Sequence, residues 1–236
     1  MFQFYHTNIF PKQIQAGYTE VNLGVSPDLV DGLDFKINNK NILNQSLDII
    51  STQLGLDKTC IVTANQVHQD NVLLVNQKLE DYTLLKTDAI VTQNPEIIPS
   101  IRSADCGNIL LFDPKTNIRA AIHSGYRGTG LNIVSKTIDF ITKLGCVPSN
   151  IFAFIGPSIA QNALWVWNDN AKFCPDQYKV KIDKDYIDNQ KLSNDLELFK
   201  YYELAQTEIK KFETPTKIVS DRKIILTNFK FIPYVR

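Results

Sequence analysis

Three side chains in this sequence could share one metal ion: His68, Cys106 and His123. Two imidazoles and one thiolate suit zinc. Three protein ligands, rather than four, leave a position open for water or substrate. An open zinc makes water a competent nucleophile at neutral pH. The chain has only three histidines, the third being His6, so two of them in one site is a large share. Residue types alone leave a second reading open. A lone cysteine is ordinarily a small core residue, and a lone histidine a hydrogen-bonding group.

The neighbours of the trio sharpen the picture. Asp105 precedes Cys106 and could act as general acid/base or orient a ligand. The competing reading is a turn or backbone cap. The glycine-rich stretch Ser124-Gly125-Tyr126-Arg127-Gly128-Thr129-Gly130 follows His123. Its free backbone amides, with Arg127, could hold an anion, or Arg127 could sit in a surface salt bridge. Trp165 and Trp167 would share one strand face, as core residues or as a stacking platform.

The elements that must position these residues follow from apolar runs and turn chemistry. Asn108 to Phe112 and Ile118 to Ile122 have strand length, and Asp113-Pro114-Lys115-Thr116 between them predicts a type I turn. With Pro114 and Lys115 as the central pair, Cys106 falls opposite His123, Cβ atoms about 5 Å apart. A bulge at Asn117 would shift this register. After the glycines, Leu131, Val134, Ile138 and Ile141 predict a helix that stops at Gly145. A helix is expected over 44–54, strands over 61–64, 71–75, 88–92 and 151–155, and a last helix near Leu196 to Phe212. Short strands are expected within 1–24, 217–219 and 224–234. The fold class is therefore α/β (α+β), a single domain over 1–236 with mixed β-sheets layered against helices.

Composition sets the class of partner. Lys plus Arg equals Asp plus Glu at 25 each, which gives no electrostatic reason to expect nucleic acid or an anionic membrane. No long apolar run predicts a membrane span, and Met1 to Phe10 has no signal-peptide pattern. A cytoplasmic chain with reduced thiols at Cys60, Cys106, Cys146 and Cys174 is expected.

Five motifs in order carry a resemblance. Asn65-Gln66-Val67-His68 resembles N-Q-V-H-G. Thr87-Asp88-Ala89-Ile90-Val91-Thr92 resembles G-D-A-L-V-T. Ser103-Ala104-Asp105-Cys106 resembles T-A-D-C. His123-Ser124-Gly125-Tyr126-Arg127-Gly128 resembles H-A-G-W-R-G, and Ile155-Gly156-Pro157-Ser158-Ile159 resembles I-G-P-x-I. In this the chain is similar to the YfiH-like laccase-domain family, long labelled multicopper polyphenol oxidoreductases. The resemblance implies an α/β domain with zinc on His68, Cys106 and His123. It also implies phosphorolysis of adenosine, inosine, guanosine or methylthioadenosine, with hydrolytic deamination of adenosine. Nucleoside and phosphate would be the partners. Asp105, Cys106 and Arg127 are the expected catalytic residues.

The older label implies copper, which stands second to zinc here. A multicopper oxidase needs many imidazoles, and three histidines build at most one copper site. Three other readings stay in view. One is a metal-free thiol hydrolase with Cys106 as nucleophile and His123 as base. Another is a single-copper phenol oxidase. The third is a diverged relative that binds metal or a partner without turnover, favoured by the terminal Phe231-Ile232-Pro233-Tyr234-Val235-Arg236 in place of F-F-S-Y-R-R.

Overall fold

The computed structural model describes residues 4–6, 10–11, 14–19, 40–78, 85–103, 106–156 and 158. It also describes the backbone of strands at 165–167, 179–180, 196–199, 218–220 and 233–235. A hairpin forms the centre of a six-stranded mixed sheet. Its arms are β7 (Gly107–Asp113) and β8 (Ile118–Ser124). Outward from β8 come β5 (Ala89–Thr92), antiparallel to it, and then β4 (Val72–Leu74), parallel to β5. Outward from β7 come β9 (Phe152–Ile155), antiparallel, and β13 (Ile218–Ser220), parallel to β9.

The central strands read as continuous apolar runs because both sheet faces are covered. On one face Ile109, Leu111, Ala120 and Ile122 pack with Ile133, Val134, Ile138 and Ile141. Those four project from one side of α3 (Ile133–Lys143). Each buried Ile or Val stabilises this contact by about 1.5–3 kcal/mol relative to exposure. On the other face Leu110, Phe112, Ala121 and Phe154 pack with Phe10, Ala16, Tyr18 and Ile101. Ala16 and Tyr18 belong to β2 (Ala16–Thr19), which pairs with β1 (Phe4–His6) and β14 (Pro233–Val235) in a small sheet. The Phe10 ring meets Phe112 edge-on at 6.3 Å, and Tyr18 stacks on Phe154 at 6.5 Å. A two-stranded parallel pair, β3 (Ile61–Val62) with β6 (Ile98–Pro99), lies beside a third cluster of Val62, Ala64, Val75, Ile90 and Ile97. The layered, mixed-sheet class is as expected.

Helix α1 (Lys40–Leu54) buries Leu47 and Ile50 and ends at Gly55, whose φ of 65° suits the left-handed stop. No helix among the described residues is long and apolar enough to cross a membrane.

Three local expectations need correction. The hairpin loop holds four residues, with Asn117 at φ 58°, so Asn108 rather than Cys106 pairs with His123. Asp113 still closes the turn, accepting from Lys115 N at 2.9 Å and Thr116 Oγ1 at 3.1 Å. The helix after the glycines is two helices. Residues Tyr126–Gly130 form α2, and Asn132 at φ 62° breaks the path before α3 begins. Leu131 therefore belongs to the α2 end rather than to the buried stripe of α3. Finally, Leu196–Phe199 is a strand, β12, not the start of a helix. It pairs antiparallel with β10 (Trp165–Trp167) and β11 (Lys179–Val180). Non-local pairing overrides the local spacing there. The rest of the expected helix, 200–212, lies outside the described residues.

Candidate metal centre

The site forms where β8 ends. His123 is the penultimate residue of that strand, and alternation puts it on the face of Ala121, away from α3. Cys106 lies just before β7, two residues from the cross-strand partner of His123. A two-residue register shift leaves it on the same face, so the expected juxtaposition survives the corrected register. His68 comes from the loop between β3 and β4. Its φ of 57° is uncommon for a residue with a side chain.

The ligand atoms of His68, Cys106 and His123 all lie within 4.8 Å of one another. The two imidazole rings meet edge-on, centroids 4.8 Å apart. His123 is buried, Cys106 half-buried and His68 exposed. The site is therefore closed at its base and reachable from the His68 side. That spacing is compatible with one shared ion, whose ligand atoms would stand roughly 3.4–3.7 Å apart. The donor set, two imidazoles and a thiol, fits a transition metal.

Asp88 lies beneath the trio with its side chain fully buried. Its Oδ1 is 2.7 Å from His123 Nδ1. Its two oxygens also accept from the backbone amides of Val67 (3.1 Å), His68 (3.0 Å) and Gln69 (3.0 Å). With Nδ1 engaged, Nε2 is the His123 nitrogen left for a ligand. A second clasp joins the loop to the chain leading to Cys106. Gln66 Nε2 donates to the Arg102 carbonyl at 2.7 Å, and the Arg102 amide donates back to Gln66 Oε1 at 2.7 Å. Arg102 Nη2 also reaches the Ala64 carbonyl at 2.6 Å. Ser103 Oγ donates to the Cys106 carbonyl.

The glycine-rich stretch closes the site by approach. A Cβ on Gly125 would stand 3.1 Å from His68 Cδ2, 3.4 Å from Cys106 Sγ and 3.5 Å from His123 Cε1. A Cβ on Gly128 would meet the Gln69 carbonyl oxygen at 2.8 Å. Thr129 fastens α2 to the strand end, its hydroxyl 2.7 Å from Ser124 Oγ and donating to the Gly125 carbonyl at 2.9 Å.

The electrostatics couple the three acidic and basic groups. Burial pushes the Cys106 thiol up, but hydrogen bonds and charge from His123 and His68 outweigh it, bringing it down to about 7. Burial opposes charge on His123, yet Asp88 and Cys106 raise it to about 9. Burial also opposes ionisation of Asp88. The His123 bond and the backbone amides still hold it below the usual carboxylate value. Each of Cys106 and His123 thus favours the charged form of the other, and a cation entering the site would displace protons.

Of the residues expected from sequence, His68, Cys106 and His123 come together. Arg127 lies in α2, its guanidinium 5.6 Å from the Tyr126 ring centroid and its Nε donating to Tyr126 Oη at 3.0 Å. Asp105 lies outside the described residues. The sequence reading assigned no role to Asp88 or Gln66. A signal existed for Asp88: it is a lone carboxylate at the mouth of the apolar run Ala89-Ile90-Val91.

The sequence and the fold also match known proteins. A family model described as multi-copper polyphenol oxidoreductase laccase matches residues 15–220. The purine nucleoside phosphorylase YlmD of Bacillus subtilis is 30% identical over 165 residues, 65% of this chain and 59% of that protein. A Mycobacterium bovis purine nucleoside phosphorylase is 32% identical over 111 residues, 47% of this chain and 44% of that one. The chain thus spans about half the length of the curated relatives it matches. Among solved structures, YlmD from Geobacillus stearothermophilus superposes with a TM-score of 0.78 at 16% identity, covering 97% of this chain and 93% of that one. The Bacillus licheniformis hypothetical protein YfiH gives 0.77 at 20% identity, with 94% and 92% covered. These likenesses are in fold. Together with the family match, they place this chain in the YfiH-like, multi-copper polyphenol oxidoreductase laccase family.

Proposed function

We propose that this chain is a zinc-dependent purine nucleoside phosphorylase of the cytoplasm that also deaminates adenosine. The observation that carries the reading is the convergence of His68, Cys106 and His123, in a chain whose relatives are named purine nucleoside phosphorylases. Zinc suits two imidazoles and a thiolate better than a set of coppers does. A zinc with one open position supplies Lewis acidity and activates water at neutral pH.

The chain's own residues prepare that chemistry. Asp88 keeps the proton of His123 on Nδ1, so Nε2 faces the site. The exposure of His68 gives a nucleoside a route in. In phosphorolysis a phosphate oxygen attacks the sugar C1′ and the bond to the purine nitrogen breaks, the base leaving with a proton. In deamination water adds at the purine C6 and ammonia leaves. Arg127 is assigned to the phosphate and Asp105 to proton transfer or ligand orientation. Incubation of zinc-loaded protein with adenosine and phosphate, followed by chromatography, should yield adenine, inosine or hypoxanthine. No product from fully loaded protein rejects the proposal.

One observation favours a second reading. Asp88, His123 and Cys106 form a carboxylate–imidazole–thiol series of the kind that activates a nucleophilic cysteine. A metal-free thiol hydrolase would be inactivated by a thiol alkylator and untouched by a chelator. The zinc enzyme loses activity to both.

A further inference from the structure

We infer that Asp88 is the positioning residue that makes the two imidazole ligands one unit, setting the tautomer of His123 and the backbone of the His68 loop together. The inference rests on the reading that the trio holds a metal. Four N–H donors converge on this one buried carboxylate. Oδ1 takes His123 Nδ1 at 2.7 Å and the His68 amide at 3.0 Å. Oδ2 takes the amides of Val67 at 3.1 Å and Gln69 at 3.0 Å.

Each bond has a distinct consequence. The Nδ1 contact leaves Nε2 as the coordinating atom of a buried ring. The three amide contacts stabilise the left-handed backbone of His68, a conformation that costs on the order of 1–3 kcal/mol unless its surroundings hold it. The backbone of Asp88 is itself fixed, since its carbonyl accepts from the His123 amide at 2.7 Å. A rigid strand end therefore carries both an oriented ligand and the anchor for the other ligand's loop. Histidine ligands commonly depend on such a carboxylate. Here one carboxylate serves two of them.

Asp88→Asn tests this at nearly constant volume. An amide has one oxygen and one NH2 where the carboxylate has two acceptors. With the oxygen toward His123, the NH2 opposes the Val67 and Gln69 amides and the loop shifts. With the oxygen toward the loop, the NH2 donates to Nδ1, and the His123 proton moves to Nε2, where it blocks coordination. Either orientation weakens zinc binding, by about 10–100-fold.

Zinc affinity is measured against a competing chelator, with amide hydrogen exchange at 67–69 and the 15N chemical shifts of the His123 ring as structural readouts. The expected result is a cooperatively folded variant with weakened zinc binding and either faster exchange at 67–69 or a reversed tautomer. Zinc affinity within about twofold of wild type overturns the inference. Should the variant not fold, the loaded wild-type chain decides. Nδ1–H with zinc on Nε2 supports the inference, and the reverse assignment overturns it. A wild-type chain that takes up no zinc overturns the metal reading and this inference with it. None of these readouts involves a nucleoside, so the proposed activity stands or falls separately.

Discussion

Gly125→Ala separates the space a metal site needs from the stability of the fold. The Gly125 backbone, at φ −70° and ψ 167°, is open to any residue, so alanine introduces no backbone strain. Its methyl group would instead stand 3.1 Å from His68 Cδ2, 3.4 Å from Cys106 Sγ and 3.5 Å from His123 Cε1. Comfortable carbon–carbon contact is about 3.5–4.0 Å. His68 must therefore retreat by a few tenths of an ångström, and as the exposed member of the trio it can. Coordination tolerates only about ±0.2 Å per ligand, so the retreat falls on metal binding. We expect a loss of about tenfold in zinc affinity, roughly 1.4 kcal/mol. Replacing glycine also reduces the freedom of the unfolded chain, but alanine caps α2 less well than glycine, so the stability of the metal-free fold should change little. Chelator competition and denaturant unfolding of the metal-free protein measure the two terms. Unchanged zinc affinity in Gly125→Ala would show that the methyl group finds room beside the trio and that this close approach does not limit metal binding.

In the metal-free chain, ultraviolet absorbance of the thiolate should titrate with a midpoint near 7 instead of 9.0. The Cys106 contribution to stability is then full above pH 9 and lost as pH falls through about 7. The His123 contribution runs the other way, full below 6.5 and lost as pH rises through about 9. The two slopes offset, so chemical denaturation should find little pH dependence from this pair between about 7 and 9. A thiolate midpoint at 9 would contradict the coupling. Ile122→Ala opens a cavity in the fully buried cluster beneath α3 and should cost about 2–5 kcal/mol in denaturant unfolding; a cost under 1 kcal/mol would speak against this packing. Gln66→Ala removes both bonds to the Arg102 backbone. It should cost about 1–3 kcal/mol and weaken zinc binding several-fold, and unaltered binding would show that this clasp does not position His68.

The hairpin and α3 were legible because their apolar runs are long and local. The trio was legible from residue type and from the order of the motifs. The hairpin register was not, because nothing in Asp113-Pro114-Lys115-Thr116 announces that Asn117 adopts a left-handed conformation and adds to the loop. The error was two residues, which preserves the face, so Cys106 and His123 still lie together. Asp88 was passed over because a single carboxylate before a strand looks like any turn cap. Only the fold brings the amides of 67–69 and His123 to it. Leu196–Phe199 misled for a related reason: its helical spacing is local, whereas its pairing with Trp165–Trp167 spans some thirty residues.

Whether His68, Cys106 and His123 hold one metal ion is a question of stoichiometry. Elemental analysis of purified protein after zinc loading and desalting tests it most directly, alongside Cys106→Ala treated identically. One equivalent of zinc per wild-type chain and almost none in the variant are expected. A wild-type chain without metal, or a variant that keeps its full equivalent, would contradict it.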